Sequence, residues 1–404
     1  MTKNMGLEQV VFIADYPFPK GMSITQRQRL ISKGLVENGI KTTILCLKAL
    51  ERPPFENIEN KGYFQGAYFE YTPGTTIRPE SFIKRRWLEL KGITVAVLKL
   101  ISLKTNGETF CIYLSTAMVM NVSLTGLIFR TLAKLLNVPL IVEIVERPWS
   151  LKDKPSYLER KISPIVGATG VIVITDYLYN WVLAESKRIS KQLSPLYIPT
   201  MVDIQEQSNG YSPVLVDSPK VLFAGSPLYK ETIRFLLNSM EYVLKQFPNC
   251  QLILTGWAKT DPQGLWIESE EIEQSLKDNI IFAGYLPRND LLELFKECNA
   301  LLIPLFDDIR SKARFPIKLG EYLLSGRPVV TNDVGDIPKF LKTKLNAYIC
   351  EPGDPKAYAD LIIEALSDPT QANDIGQRGK DIALQCFDYS IWVKNLSMFI
   401  RYLI

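Results

Sequence analysis

Histidine is absent from all 404 residues, and that absence removes whole classes of chemistry. There is no Ser-His-Asp triad, no Cys-His pair, no HExxH zinc site and no imidazole acid or base. Catalysis must rest on carboxylates, lysine, arginine, tyrosine, hydroxyls, backbone amides or the substrate itself. The six cysteines, Cys46, Cys111, Cys250, Cys298, Cys350 and Cys386, form no CxxC pair. Most sit in apolar runs, as small buried thiols of a reducing compartment do. No stretch reaches 18 apolar residues, so no membrane-spanning helix is expected. The opening MTKNMGLEQVVFIADYP lacks a basic start followed by a long apolar run, so no leader is expected. Neither GxGxxG nor GxxxxGK[ST] occurs after an opening strand, which argues against a dehydrogenase or a P-loop enzyme.

What is present is an ordinary globular composition, 47% apolar and 22% charged, at a length suited to two or three domains. The net charge of +4 is uneven: residues 1–205 carry +9 and residues 206–404 carry −5. The densest basic stretch, Ser81 to Lys104, interleaves Lys84, Arg85, Arg86, Lys91, Lys99 and Lys104 with Phe82, Ile83, Trp87, Leu88, Leu98 and Leu100. Read as a helix, it has an apolar stripe and cationic flanks. It suits an anionic membrane surface, with an ordinary solvated amphipathic helix as the alternative. No nucleic-acid motif accompanies it.

Apolar runs alternate with helical periodicity along the whole chain. QVVFIADYP, KTTILCL, FCIYLS, PLIVEIV and GVIVIT read as buried parallel strands, and SPLYIPTMVD as one more. The series begins again with KVLFAGS, QLILTG, NIIFAGY, ALLIPLF, RPVVTND and NAYICEP. The expectation is an α/β protein with two Rossmann-like doubly wound domains facing across a cleft. A linker near residues 204–215 joins them, and the C-terminal helix YSIWVKNLSMFIRYLI crosses back to the first domain. The boundaries read as residues 1–205 with 388–404, and 206–387. Ligands of such modules bind at the carboxyl ends of the strands.

The most informative stretch is ALLIPLFDDIRSKARFPIKLGEYLLSGRPVVTNDVGDIPK, residues 300–339. A strand ends at Pro304, a basic loop follows, and a helix opens near Pro316, where a missing N–H costs nothing. Amides at that helix start attract phosphate, with Lys318 and Arg314 adding fixed charge. Lys318 and Glu321 share one helix face, and Glu321 suits a ribose diol. The adjacent Asp307 and Asp308 read as loop-capping groups rather than a metal pair.

PxKxxEY followed by GRPVVTNDVGDIPKFL resembles the signature of the family-4 retaining glycosyltransferases, of GT-B architecture. The likeness continues through KVLFAGSPLYKETIRFLLNSMEYVLKQFPNCQLILTG, DNIIFAGYLPRNDLLELFKECNALLIP and NAYICEPGDPKAYADLIIEAL. It is looser in FIADYPFPKGMS, IVITDYL and IPTMVD.

The resemblance implies a hexosyltransferase acting from a nucleoside-diphosphate sugar, with retention and without a metal or other cofactor. The chain has no DxD motif. It places Lys230 on the donor diphosphate, Glu321 on the donor ribose, and Gly21 and Gly225 in loops facing the diphosphate. Gly284 and Tyr285 frame the base, and Glu146 stands on the acceptor side near Glu143 and Arg147. The second domain would bind donor and the first acceptor, a glycan or a lipid-linked molecule of polysaccharide biosynthesis. Lys84, Arg85, Arg86 and Trp87 would lie on the membrane or acceptor side. The expected place is the cytoplasm, with a peripheral position at the inner face of the cell membrane left open.

Two departures stand out. Ala313 replaces the first motif glutamate, and Ser226 and Pro227 follow Gly225 where an arginine is usual. A catalytically degenerate nucleotide-sugar-binding protein of the same fold therefore stays open as the alternative. So do plainer roles: a solvated lysine at 230, a turn glycine at 21, a surface or capping carboxylate at 146, and a helix-face ion pair between Lys318 and Glu321.

Overall fold

The protein is described from a computed structural model, which covers residues 9–53, 56–115, 123–146, 163–206, 218–258, 265–269 and 274–403. The chain divides into two compact units, Met1–Met201 with Tyr389–Ile404, and Val202–Asp388.

The first unit is built on strands β1 (Gln9–Ala14), β2 (Lys41–Cys46), β3 (Lys61–Phe64), β4 (Ala67–Tyr71), β5 (Phe110–Leu114), β6 (Leu140–Ile144), β7 (Gly170–Val173) and β8 (Pro195–Tyr197). They pair in the order β3-β4-β2-β1-β5-β6-β7-β8, all parallel except the edge hairpin β3–β4. Every residue of β1, β5, β6 and β7 is buried, which is why these segments read as continuous apolar runs. Helices α1 (Ser23–Glu37), α2 (Phe82–Thr105), α3 (Leu124–Leu136) and α4 (Asp176–Arg188) connect them. Ser81, Ser123 and Thr175 cap the last three by accepting from the amides of Lys84, Gly126 and Leu178, filling donors that a helix start leaves empty.

The hairpin turns at Gln65 and Gly66, both with positive φ, as a tight two-residue connection requires. The C-terminal helix Tyr389–Tyr402 belongs to this unit and packs on α1. A side chain at Gly34 would collide with Val393, so glycine lets the two helices approach. Tyr389 Oη bonds the Glu37 carboxylate at 2.9 Å, and Arg401 Nη2 donates to Asn38 O at 2.7 Å.

The second unit contains β9 (Lys220–Ala224), β10 (Gln251–Thr255), β11 (Ile280–Gly284), β12 (Ala300–Ile303), β13 (Val329–Asn332) and β14 (Tyr348–Cys350). Their order is β11-β10-β9-β12-β13-β14, parallel throughout. Helices α5 (Lys230–Gln246), α6 (Gln274–Asp278), α7 (Arg288–Glu297), α8 (Ile309–Ala313), α9 (Ile317–Leu324), α10 (Ile337–Phe340), α11 (Pro355–Ser367) and α12 (Pro369–Cys386) complete it. Its core joins Leu252, Leu254, Leu302 and Val330 of the sheet to Ile233, Leu236 and Met240 of α5 and to Tyr358 and Ile362 of α11. Val202 N donates to Phe387 O at 2.8 Å, so the chain both enters and leaves this unit at one place. Residues 207–215 of the expected linker lie outside the described residues.

Candidate functional site

The strand order of the second unit fixes where its site must be. From β9 the chain works outward to β11, then returns to place β12 on the other side of β9. The connections leaving β9 and β12 therefore diverge and open a crevice at the strands' carboxyl ends. Past β9 the chain runs Gly225 to Tyr229 and enters α5 at Lys230; past β12 it runs from Pro304 through α8 to Arg314.

The crevice floor is stitched by backbone. Gly225 N donates to Thr255 O at 3.2 Å, and Gly256 N and Thr255 Oγ1 both donate to Gly284 O at 2.9 Å. Gly256 has φ of +103°, and a Cβ there would stand 2.9 Å from Gly225 O. Only glycine lets β9 and β10 end so close together. On the other side Asn332 accepts from Leu305 N at 2.9 Å and donates to Glu351 O at 3.2 Å. Asp308 caps α8 through Ser311 N at 2.6 Å, while Asp307 pairs with Lys312. Among the described residues no group of three or more Cys, Asp or Glu is arranged to hold a metal.

Cations gather beside the loop that leaves β9. Lys230 Nζ lies 5.4 Å from the Trp266 ring centroid and the Arg234 guanidinium 5.2 Å from the same ring. Trp266 Nε1 donates to Pro227 O at 3.2 Å, fixing the ring against the β9 loop. Arg314 Nη1 reaches Tyr229 Oη at 3.4 Å, which links the β12 loop to the residue before Lys230. Burial lowers the Arg314 pKa from its ordinary value. Neither Tyr229 before α5 nor Pro316 before α9 caps its helix with its own side chain.

Glu321 stands on α9, tied to the end of β9 because Ala224 N donates to Tyr322 Oη at 2.8 Å. Its Oε1 accepts from Arg288 Nη1 at 2.8 Å and its Oε2 from Lys318 Nζ at 3.0 Å. Arg288 also donates to Glu206 Oε2 through Nε at 2.9 Å and Nη2 at 2.7 Å. Burial alone would raise the Glu321 pKa, but the Lys318 and Arg288 charges and their hydrogen bonds outweigh it and bring it down to about 2. The carboxylate is thus ionised near neutral pH and held in place, with lone pairs beyond the two bonds it accepts. Cations and amides able to neutralise a polyanion, beside a fixed acceptor able to take hydroxyls, suit a ribonucleotide diphosphate.

Residues 208–382, a little under half the chain, match the family described as glycosyl transferases group 1. The sequence is 24% identical over 152 residues to an uncharacterized glycosyltransferase of Methanocaldococcus jannaschii, covering 38% of this chain and 37% of that protein. It is 26% identical over 112 residues to the N-acetyl-alpha-D-glucosaminyl L-malate synthase of Bacillus anthracis, covering 28% of each. The chain thus spans well under half the length of these curated relatives. Structural likeness extends over nearly all of it. The sucrose-phosphate synthase of Thermosynechococcus elongatus superposes with a TM-score of 0.72 at 17% identity, over 98% of this chain and 99% of that one. An Anabaena protein solved in complex with UDP and glucose gives 0.64 at 15% identity, over 97% and 99%. The fold is GT-B.

Within this GT-B chain the second unit brings several of the expected residues together. Lys318 and Glu321 are directly bonded. Gly225 and Gly284 are joined through Thr255 and Gly256, and Arg314 contacts the neighbour of Lys230. Pro316 is the residue before α9, and Tyr285, 46% exposed, follows Gly284 at the mouth. The Lys318–Glu321 pair was open to reading as a solvated helix-face pair, but Glu321 is only 5% exposed. Arg288 is the site residue that the sequence did not give away.

In the first unit, Gly21 lies between β1 and α1, where a Cβ would collide with the Thr25 hydroxyl that bonds Pro17 O at 2.9 Å. It is a close-packing requirement rather than a positive-φ turn. Glu146 is half-buried just past β6. Glu143, considered beside it, is ruled out as an acceptor group. It is fully buried, takes Arg27 Nε at 2.7 Å and Gln28 Nε2, and thereby ties α1 to β6. Arg147 lies outside the described residues. On α2, Lys84, Arg86 and Trp87 are exposed and Arg85 is half-buried.

Proposed function

We propose that the protein is a retaining glycosyltransferase that moves a hexosyl group from a nucleoside-diphosphate sugar to a glycan or lipid-linked acceptor, without a metal. The observation that carries this is the second unit's switch point, where α5 opens at Lys230 after β9, Arg314 reaches Tyr229 just before it, Tyr322 of α9 holds the end of β9, and Glu321 is fixed between Arg288 and Lys318. The match to glycosyl transferases group 1 covers this unit, and relatives with that fold carry UDP.

In the proposed reaction the donor lies on the second unit and the acceptor on the first. The bond between the anomeric carbon and the β-phosphate oxygen breaks, charge builds on that phosphate, and Lys230 with Arg314 stabilises it as it forms. The acceptor hydroxyl attacks on the same face, and the departing phosphate takes its proton, a scheme that needs no histidine. Glu321 accepts from the donor ribose, Gly284 and Tyr285 frame the base, and Gly21 and Gly225 let backbone approach the diphosphate. Lys318 assists the phosphate side while steadying Glu321, and Glu146 bonds the acceptor. Lys84, Arg85, Arg86 and Trp87 hold the first unit at an anionic membrane surface, where a lipid-linked acceptor of polysaccharide synthesis would be presented.

The deciding experiment is Lys230→Ala assayed for sugar transfer and donor hydrolysis. Losing one preorganised cation lowers turnover by roughly two to three decades; near-normal turnover removes Lys230 from the mechanism. Ala313, 1% exposed where the resemblance places a glutamate, favours a second reading, nucleotide-sugar binding without turnover. Donor binding by calorimetry, with neither transfer nor hydrolysis by the unmodified chain, would establish that one instead.

A further inference from the structure

Helix α2 has two apolar faces, and one of them is uncovered among the described residues. Gly92, Ala96 and Leu100 are buried, and a side chain at Gly92 would collide with Leu47 O. On the outer side Ile83, Trp87, Leu90 and Leu98 recur at helical spacing and are 78%, 61%, 64% and 59% exposed. Helix α3, which packs against α2, adds exposed Leu124 and Leu135. Large apolar side chains gathered on one surface mark a docking face.

At the start of α2 lies a cavity of about 230 Å³ lined by four cations, Lys48, Arg78, Arg85 and Arg86, with Glu89 as the one carboxylate. Arg78 comes from outside the helix: its N donates to Glu51 O at 3.0 Å, and Glu51 N to Thr76 O at 2.9 Å. Glu89 answers Arg86 at 2.7 Å, and Lys48 stands 3.9 Å from Asp15. Among the described residues Arg85 Nε is buried without a hydrogen-bond partner. Burial first, then the charges of Arg52, Arg85 and Arg86, hold the Arg78 pKa below its ordinary value. Cations crowded in this way gain when an anion with several acceptor oxygens enters.

We propose that this cavity binds the phosphate of an anionic phospholipid while the outer stripe of α2 lies in the bilayer interface. Trp87 has the amphipathic ring favoured at that depth, Phe82 adds an apolar one, and Lys91 stands 5.7 Å over Trp87. A second copy of the chain is the poorer occupant. From Phe82 to Thr105 the helix carries Lys84, Arg85, Arg86, Lys91, Lys99 and Lys104 against Glu89 alone, so two such faces repel. The site rests on the membrane-surface part of the function proposed above, not on its transfer chemistry.

The test is co-sedimentation of the full chain with vesicles of phosphatidylcholine alone and of phosphatidylcholine with phosphatidylglycerol. Binding is expected to the mixed vesicles only, and to survive millimolar inorganic phosphate. Arg78→Gln should weaken it at least tenfold, with Arg78→Lys recovering most of the loss. Lys104→Gln, the same charge change at the far end of α2, should cost about fivefold or less, the ordinary share of one surface cation. Equal losses for Arg78→Gln and Lys104→Gln would overturn the cavity, and so would equal binding to both vesicle types or displacement by the free phosphate. Nucleoside-diphosphate binding is measured separately by calorimetry. A chain that ignores nucleotide yet passes the vesicle test refutes the transferase and leaves this site standing.

Discussion

Each unit buries one glutamate against an arginine near its parallel sheet, and the two glutamates do different work. Glu143 projects from β6 and is completely enclosed. Its partner Arg27 also donates to Pro199 O at 2.6 Å and Ile198 O at 3.0 Å. Both charges are buried and bonded inside the unit, and the product is a fixed distance between helix and strand. Glu321 projects from a helix at the carboxyl ends of the strands, and its partners Lys318 and Arg288 keep 24% and 23% exposure. Here the pair is a boundary, with protein on one side and an open mouth on the other. A buried ion pair alone says little about role; what its remaining valences face says much more.

That contrast can be broken most sharply at Glu143. Glu143→Gln leaves the Arg27 guanidinium buried without its counter-charge, and removing one partner of such a pair costs about 3–5 kcal/mol. The first unit should unfold at markedly lower urea concentration while the nucleotide affinity proposed for the second is unchanged. A loss of nucleotide binding as large as the loss of stability would mean the carboxylate serves the site directly.

Acid sharpens the other half. The folded Glu321 pKa is depressed to about 2 from an ordinary 4.5, so the pair contributes stability above the unfolded value and loses it as pH falls toward the folded one. The full contribution is on the order of 3 kcal/mol. Compared with Glu321→Gln, the unmodified chain should hold a stability advantage near neutral pH that shrinks between about pH 4.5 and 2. An advantage that stays constant across that window would place the charge of Glu321 outside the balance.

The sequence made the local half of this picture legible and hid the distant half. Lys318 and Glu321 are three apart on one helix, and the helix period alone pairs them. Arg288 reaches Glu321 across 33 residues, and Arg27 reaches Glu143 across 116; only the wound sheet brings these together. The buried strands were readable because both faces are covered, which makes the run uniformly apolar. The β3–β4 hairpin was not. Its strands show exposed or half-buried positions, and its turn uses Gln65 where asparagine or aspartate would have signalled positive φ. The switch point could be expected at some strand's carboxyl end, but which strands flank it emerged only from the order β11-β10-β9-β12-β13-β14.

The same division between packing and opening recurs, more gently, at two glycines. At Gly21 a methyl would strike Thr25, which is itself buried and bonded to Pro17 O. Gly21→Ala should therefore cost about 1–3 kcal/mol through overpacking. At Gly284 nothing lies within 4 Å of the added Cβ, and the obstacle is the backbone, with φ of +70°. Gly284→Ala should cost only about 1 kcal/mol. Asparagine tolerates the left-handed region better than alanine, so Gly284→Asn should recover part of that loss, whereas Gly21→Asn should be worse than Gly21→Ala. Urea midpoints of the four variants decide it. If asparagine is no better than alanine at 284, backbone strain is not what glycine relieves there, and the mouth of the second unit is more crowded than an open ligand-facing edge should be.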